Sequence, residues 1–343
     1  MHNFRKTLLT IILFIVLAAV FSGVIMAVYF RGENFYYQDM KERNELSGTL
    51  DFMVSGASHG MTSLIPTILD EDLDVDSYNL SIANGSLRDR YTLLEKEIER
   101  NPVDTVVIEL SYDALTKTED ERGYEGEFYL FAKLNLSDRI RYFLKVISPL
   151  DYDVLYSEFM DKGLECLKLA DQGEWTGVNL ETDKGYSPIN EGNPDQSWIA
   201  DDYSKHYNLY SFSDVIDESD LDYLNMTLDL CEENDIDVIL VTIPLSETVI
   251  CEQSNLDVFR EWYEQIAEER GIPFVDFNLY KEHWEMFSDE EDFNDNLHLS
   301  VEGAEKFTQL FSEIYSMIQN GEDPGNLFYD SYEELEAHAD YTP

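Results

Sequence analysis

Five short apolar runs, most of them separated by stretches long enough for a helix, constrain this chain's fold more than any other feature. Leu50-Asp51-Phe52-Met53-Val54 reads as a strand running into a helix that begins near Gly60. Tyr78-Asn79-Leu80-Ser81-Ile82 reads as the second, followed by a charged amphipathic helix from about Leu87 to Arg100. Thr105 to Leu110 is the third, β-branched and nearly continuous, as a strand buried on both faces of a parallel sheet must be. Val238 to Ile243 is the fourth and Pro273 to Asp276 the fifth, with a helix from Asp257 to Arg270 between them. Strands alternating with helices pack as a parallel sheet covered on both faces. The expected fold is therefore α/β, a three-layer, flavodoxin-like parallel sheet of about five strands spanning residues 48–320.

Ahead of that domain, Leu8 to Phe30 is 23 residues without a charge. At about 1.5 Å per residue such a helix crosses a hydrocarbon layer about 30 Å thick. Arg5 and Lys6 precede it, which places the N-terminus in the cytoplasm. The run exceeds the usual signal-peptide core of about 7 to 15 residues, and Ala27 has Ile25 two places before it rather than a small residue. The expectation is one retained transmembrane signal anchor, a polar stalk over 32–47, and an extracytoplasmic domain beyond. The charge supports a water-facing domain: 71 acidic residues against 23 basic give −48. So acidic a chain is excluded as a natural nucleic-acid binder, because phosphate recognition needs clustered Lys and Arg. With 44% hydrophobic and 13% aromatic residues it has the material for a large core, which argues against general disorder.

The stretch between the third and fourth strands, about 116–219, is too long for a simple crossover and reads as a mid-domain insertion, a lid or partner surface. It opens with an aromatic-rich, helical-looking segment from Tyr124 to Tyr156 and continues through a polar stretch from Gly173 to Asp202. Those tyrosines suit either a sugar-binding platform or the packing of the insertion itself. Residues 321–343, acidic and tyrosine-containing, read as a weakly ordered tail unless their aromatics dock. Cys166, Cys231 and Cys251 lack the spacing of a zinc or redox site and leave two readings open: a Cys231–Cys251 bridge, or three unpaired thiols. Asp70, Asp72, Asp74 and Asp76 alternate like a calcium loop. Val75 and Ser81 occupy the glycine and glutamate positions of such a loop, so the run reads as solvated loop, and no metal or cofactor is expected. His206 and His283 have no partner spacing and read as surface or packing residues, while Glu109 and Asp276 read as strand-end caps of neighbouring backbone.

Chemistry concentrates in two places. The first strand runs directly into Gly56-Ala57-Ser58-His59-Gly60, a G-x-S-x-G that taken alone matches the nucleophile elbow of α/β-hydrolases. In that fold the elbow follows several earlier strands, whereas here the serine follows the first. Far downstream, Asp295-Asn296-Leu297-His298 precedes a terminal helix, so one short loop delivers both an orienting carboxylate and an imidazole base. His59 reads either as an assistant to the serine or as a polar residue at a helix start.

With both ends in place the chain resembles the SGNH (GDSL-type) hydrolase superfamily, on Gly56-Ala57-Ser58-His59 and Asp295-Asn296-Leu297-His298. Asn79-Leu80-Ser81-Ile82-Ala83-Asn84-Gly85 is similar to that superfamily's second block, which implies an oxyanion-binding N–H on Gly85 beside that of Ser58. Val241-Thr242-Ile243-Pro244 resembles the strand ending that precedes its late blocks. The third block departs: Asp113 stands where an asparagine is expected after Ile108-Glu109-Leu110. An ionised carboxylate only accepts hydrogen bonds and repels an oxyanion, and losing one donor typically costs about 10² to 10³ in rate. The site then needs a protonated Asp113, another donor (Asn84 is the nearest in sequence), or it is slow.

Within the superfamily the resemblance is to membrane-anchored surface-acylation proteins of the alginate O-acetylation and D-alanyl-lipoteichoic-acid transfer types. It implies a single-pass cell-membrane protein that transfers or hydrolyses acyl groups on a cell-surface polysaccharide through an acyl-serine. Ser58 would be the nucleophile, His298 its base and Asp295 the orienter, with no cofactor and with a polytopic membrane-bound O-acyltransferase as partner. A non-catalytic adaptor and a secreted carbohydrate esterase are the alternatives.

Overall fold

A computed structural model describes residues 50–111, 114–116, 125–145, 183–188 and 215–339, apart from 254 and 296. It also describes single positions within 6–24, 42–48 and 156–164. The chain divides into two compact units, Met1–Lys41 with Phe131–Leu180, and Glu42–Leu130 with Glu181–Pro343.

In the second unit the elements run β1 (Leu50–Ser55), α1 (Ser58–Ser63), α2 (Pro66–Leu73), β2 (Ser77–Asn79), α3 (Leu87–Ile98) and β3 (Val103–Glu109). Two further helices, α4 (Glu125–Lys133) and α5 (Leu136–Lys145), follow in the chain. Then come α6 (Glu218–Glu233), β4 (Asp237–Thr242), α7 (Glu247–Glu252), α8 (Leu256–Arg270), β5 (Phe274–Asp276), α9 (His283–Met286), α10 (Val301–Gln319) and α11 (Tyr332–Glu336). The sheet order is β2-β1-β3-β4-β5 with every pair parallel, the order of flavodoxin-like doubly wound sheets. All five expected strands are present. The central three are buried along almost their whole length, which is why they read as near-continuous apolar runs. The second strand ends earlier than expected, at Asn79, but its pairing with β1 goes on: Leu80 N–H donates to the Val54 carbonyl and Ile82 N–H to that of Gly56.

One face is covered by α1, α2 and α10, with Phe52, Val54, Val107, Val241, Phe307 and Phe311 in a single core. Ser300 starts α10 by accepting Gly303 N–H at 3.1 Å, and Ala304, Phe307, Phe311 and Ile314 bury one helical stripe. Gly303 is required by space, since a Cβ there would lie 2.1 Å from the Asp292 carbonyl oxygen. The other layer includes α3, which opens with a Ser86/Asp89 capping box, packed on α6. Cys231 lies buried in α6 as a free thiol whose pKa burial pushes up to about 12, so the Cys231–Cys251 bridge is not formed.

Three expectations change. Arg43, in the supposed stalk, is 2% exposed and donates from Nε to Glu97 at 3.0 Å, so that end of the stalk is pinned to α3. The aspartate run is not simply solvated: Asp70 accepts Ser77 N–H at 2.8 Å, and Lys184 bridges Asp70 and Asp76 at 2.5 and 2.7 Å. The aromatics of the tail dock. Tyr332 is buried, Tyr329 N–H donates to the Leu279 carbonyl, and Trp284 Nε1–H donates to the Leu335 carbonyl at 3.1 Å. His283 is a packing residue, fully buried and 3.0 Å from the Leu245 carbonyl, and desolvation pulls its pKa down to about 4. His206, Asp113, Cys166 and most of 8–30 and 116–219 lie outside the described residues. Among the described residues no helix is long and apolar enough to cross a membrane.

Candidate active site

The strand order reverses direction between β1 and β3, and in sheets of this kind ligands bind outside the carboxyl ends of the strands at that point. Both strands deliver polar residues there. β1 ends at Ser55 and passes through Gly56 and Ala57 to Ser58, the first residue of α1. β3 ends in Glu109, which is fully buried. Its Oε2 accepts Ala57 N–H at 2.9 Å and lies 3.6 Å from Arg90 Nη1. Arg90 also donates to the Glu109 carbonyl at 2.8 Å and to the Gly85 carbonyl at 3.0 Å. Gly56 follows from this packing, because a Cβ would stand 2.8 Å from Glu109 Oε2.

The second half of the site comes from the loop before α10. Phe293 and Leu299 form an isolated antiparallel bridge, and Asn294 N–H donates to the His298 carbonyl at 2.9 Å, closing a tight loop over 294–298. Inside it, Asp295 Oδ1 accepts the backbone N–H groups of Leu297 and His298, each at 2.8 Å. The carboxylate also takes His298 Nδ1, at 2.9 Å to Oδ1 and 2.8 Å to Oδ2. Burial opposes ionisation of Asp295. The imidazole and the two backbone donors outweigh it and hold the carboxyl below its usual range. A carboxylate only accepts, so Nδ1 carries the proton and Nε2 is left with a lone pair. That Nε2 lies 2.8 Å from Ser58 Oγ.

The structure thus brings Ser58, His298 and Asp295 into one hydrogen-bonded line across 240 positions of sequence. His59 joins them as a neighbour: it is buried, its ring meets that of His298 edge-on with centroids 4.8 Å apart, and its Nδ1 is 3.9 Å from Glu109 Oε1. Gly85 departs from the expected role. Asn84 takes a left-handed conformation (φ 53°), which folds Gly85 N–H back onto the Ile82 carbonyl at 3.1 Å. The donor expected to face an oxyanion is therefore committed to a turn. Glu109 caps neighbouring backbone as its strand-end position led one to expect, but Arg90 and the placing of that cap beside the serine escaped the sequence reading. The available signal was a cation on the buried face of α3 in a chain with few cations. Behind His59, a small cavity of about 20 Å³, lined also by Ser111, Asp276 and Tyr332, has room for about one water.

A doubly wound α/β protein with a Ser–His–Asp line at its switch point is the class that fold and site define. The chain belongs to the family described as protein of unknown function DUF1574, whose sequence profile matches residues 8–314. No curated protein matches it significantly. The solved structures it resembles include a candidate lipolytic protein of the G-D-S-L family from Desulfitobacterium hafniense, 13% identical, covering 78% of this chain and 99% of that one, with a TM-score of 0.41. A GDSL-like lipase from Bacteroides thetaiotaomicron is 10% identical over 84% of this chain and 99% of its own, also at 0.41. A candidate acylhydrolase from Bacteroides fragilis is 10% identical over 81% and 94%, again at 0.41. At such identities and scores the likeness says nothing about substrate.

Proposed function

We propose that this chain is a membrane-anchored, extracytoplasmic enzyme that transfers or hydrolyses acyl groups on a cell-surface polysaccharide. The observation that carries the reading is the 2.8 Å contact between His298 Nε2 and Ser58 Oγ, with Asp295 behind the imidazole. Ser58 Oγ attacks the carbonyl carbon of an acyl donor while its proton passes to His298 Nε2. The oxyanion is met by Ser58 N–H, which at the first position of α1 has no helical acceptor. Collapse breaks the bond to the leaving oxygen, which takes the proton from His298. The acyl-serine is then resolved by a carbohydrate hydroxyl, giving transfer, or by water, giving deacylation. The proton of the attacking hydroxyl returns through the same imidazole.

Anchoring is supported by the N-terminal segment. Its described positions from 10 to 24 are helical, and their apolar side chains are left bare, Phe14 at 72% and Leu17 and Val20 at 58%. An uncharged helix with its apolar side chains this exposed to water is what a lipid environment would cover. A polytopic O-acyltransferase in the same membrane is the donor partner this reading expects. The commitment of Gly85 N–H to its turn favours one second reading, an adaptor that binds polysaccharide or that partner without catalysis.

Fluorophosphonate labelling of the full chain in detergent, read by intact mass, tests the enzyme. One adduct is expected on the wild type and none on Ser58→Ala or His298→Ala. No adduct on folded wild type would overturn autonomous catalysis and leave the adaptor.

A further inference from the structure

In the unit that contains the N-terminal apolar segment, α5 carries an exposed row that nothing among the described residues covers. Leu136, Ile140 and Leu144 stand 71%, 52% and 66% exposed, at i, i+4 and i+8 of one helix face. At about 100° per residue they fall within an arc of about 80°. The helix packs by a different face, where Tyr142 is buried with its ring edge-on to Phe131 at 5.7 Å. Among the described residues the apolar arc takes no part in that packing.

The charges beside that arc are of the wrong sign for this chain. Residues 134–150 hold Arg139, Arg141 and Lys145 against Asp138 alone, in a protein of net charge −48, while Lys133 just before them is buried. After residue 31 no other stretch of this length is comparably basic. On the helical wheel Arg141 borders the arc on one side, 3.4 Å from Asp138, and Arg139 on the other, half-buried with its Nε donating to the Leu134 carbonyl at 2.6 Å. An apolar face bordered by Lys and Arg is the pattern of a helix lying in a membrane interface, where the apolar side chains sit among acyl chains and the cations meet anionic headgroups. A water-facing helix of so acidic a protein needs neither feature.

We propose that α5 lies in the surface of an anionic bilayer, with Leu136, Ile140 and Leu144 inserted. The inference rests on the membrane-anchored reading given above. A second contact of this kind beside a spanning anchor would hold unit one against the lipid instead of leaving it to swing on a tether.

The test uses the full chain reconstituted into vesicles of phosphatidylglycerol and phosphatidylcholine with brominated acyl chains, which quench tryptophan at the depth of the bromine. Ile140→Trp is compared with the unsubstituted chain, and Leu144→Trp serves as a second position should the first misfold. Flotation of the vesicles reports the anchor separately. The added tryptophan is expected to be quenched about twofold in anionic vesicles, an interfacial helix burying its face about 5–10 Å deep. Arg141→Glu should weaken that quenching. A chain that floats while its added tryptophan stays unquenched overturns the proposal and leaves the anchor standing. If the same sample cross-links as a dimer through position 140, a second copy covers the row instead. A chain that does not float overturns both readings.

Discussion

Glu109, at the end of β3, accepts the backbone N–H of Ala57 at 2.9 Å, one residue before the serine that β1 presents. A buried carboxylate on the neighbouring strand thus fixes the loop from which Ser58 projects. Arg90 balances its charge from α3, 3.6 Å away, so three elements meet in one buried polar cluster. Loop position in such sites matters to the rate, because misplacement by about 1 Å can cost about 100-fold.

Glu109→Gln should therefore be milder than Glu109→Ala. Both leave Arg90 without its counter-ion, and breaking a buried pair in this way typically costs about 3–5 kcal/mol. The glutamine keeps an acceptor for Ala57 N–H, while the alanine also leaves that donor unmet. Denaturant unfolding would register the loss. Labelling of Ser58 by fluorophosphonate should slow by about 100-fold in the alanine variant and much less in the glutamine. Equal behaviour of the two variants would remove Glu109 from this role.

Asp295→Asn should keep the loop and lose the chemistry. The amide oxygen still accepts from Leu297 and His298 N–H, so the backbone of the loop is retained. Its NH₂ group, however, would face His298 Nδ1 as a donor and favour the tautomer with the proton on Nε2, where it cannot take the serine's proton. The expected drop in acylation rate is about 10³-fold or more with little change in melting temperature. A variant that labels at the wild-type rate would mean that Asp295 does not orient the imidazole.

What was legible in the sequence follows a physical divide. The strands and the Ser58 and D-x-x-H segments were readable because burial on both faces and local loop chemistry leave marks within a few residues. The partner of Glu109, and the roles of Arg90 and Tyr332, were not, because each acts on a group between 19 and 56 positions away, across packed elements. Gly85 shows the opposite failure. Its motif was visible, and so was the Asn84-Gly85 pair that favours a left-handed turn, but not that this turn would aim the Gly85 N–H at the Ile82 carbonyl. The tail was unreadable as structure because only its aromatics, and not its charge, decide that it docks.

Tyr332 carries that docking. Its hydroxyl donates to Asp276 Oδ2 at 2.9 Å, at the end of β5. Asp276 also takes Thr242 Oγ1 at 2.5 Å and Asn278 Nδ2 at 3.0 Å. Desolvation raises the pKa of Asp276 even so, and burial beside that carboxylate pushes the Tyr332 phenol well above its usual value. Tyr332→Phe removes one donor to a buried acid and should cost about 1.5–3 kcal/mol. The loss should shrink on acidification: a carboxyl with a raised folded pKa favours the protonated fold, a gain that is lost as pH rises through that pKa. Thermal melts of the pair at neutral and acid pH would check both parts. An unchanged melting temperature would show that the tail adds nothing through this bond.

His283 sets the other pH response. Fully buried, it is held neutral, its pKa lowered from 6.5 to about 4 chiefly by desolvation, despite backbone hydrogen bonds to Leu245 and Phe277. The sign follows from where the proton sits. In the unfolded chain the imidazole charges below about 6.5, while in the fold it stays neutral until about 4. Its contribution is thus fully present above 6.5 and is lost as pH falls from 6.5 toward 4, by about 3 kcal/mol at the bottom of that window. Asp276 acts in the opposite direction, since its raised pKa returns stability on acidification, and Asp295 gives its own up only as pH falls from the ordinary carboxylate value of 3.8 through its depressed one. The net loss between pH 6.5 and 4 should therefore be smaller than His283 alone would give. It should flatten in His283→Gln, whose amide can still donate to the Leu245 carbonyl but cannot take a proton. Urea midpoints measured every half pH unit for wild type and variant would show it. Parallel curves across that window would mean that the buried imidazole charges without disturbing the fold.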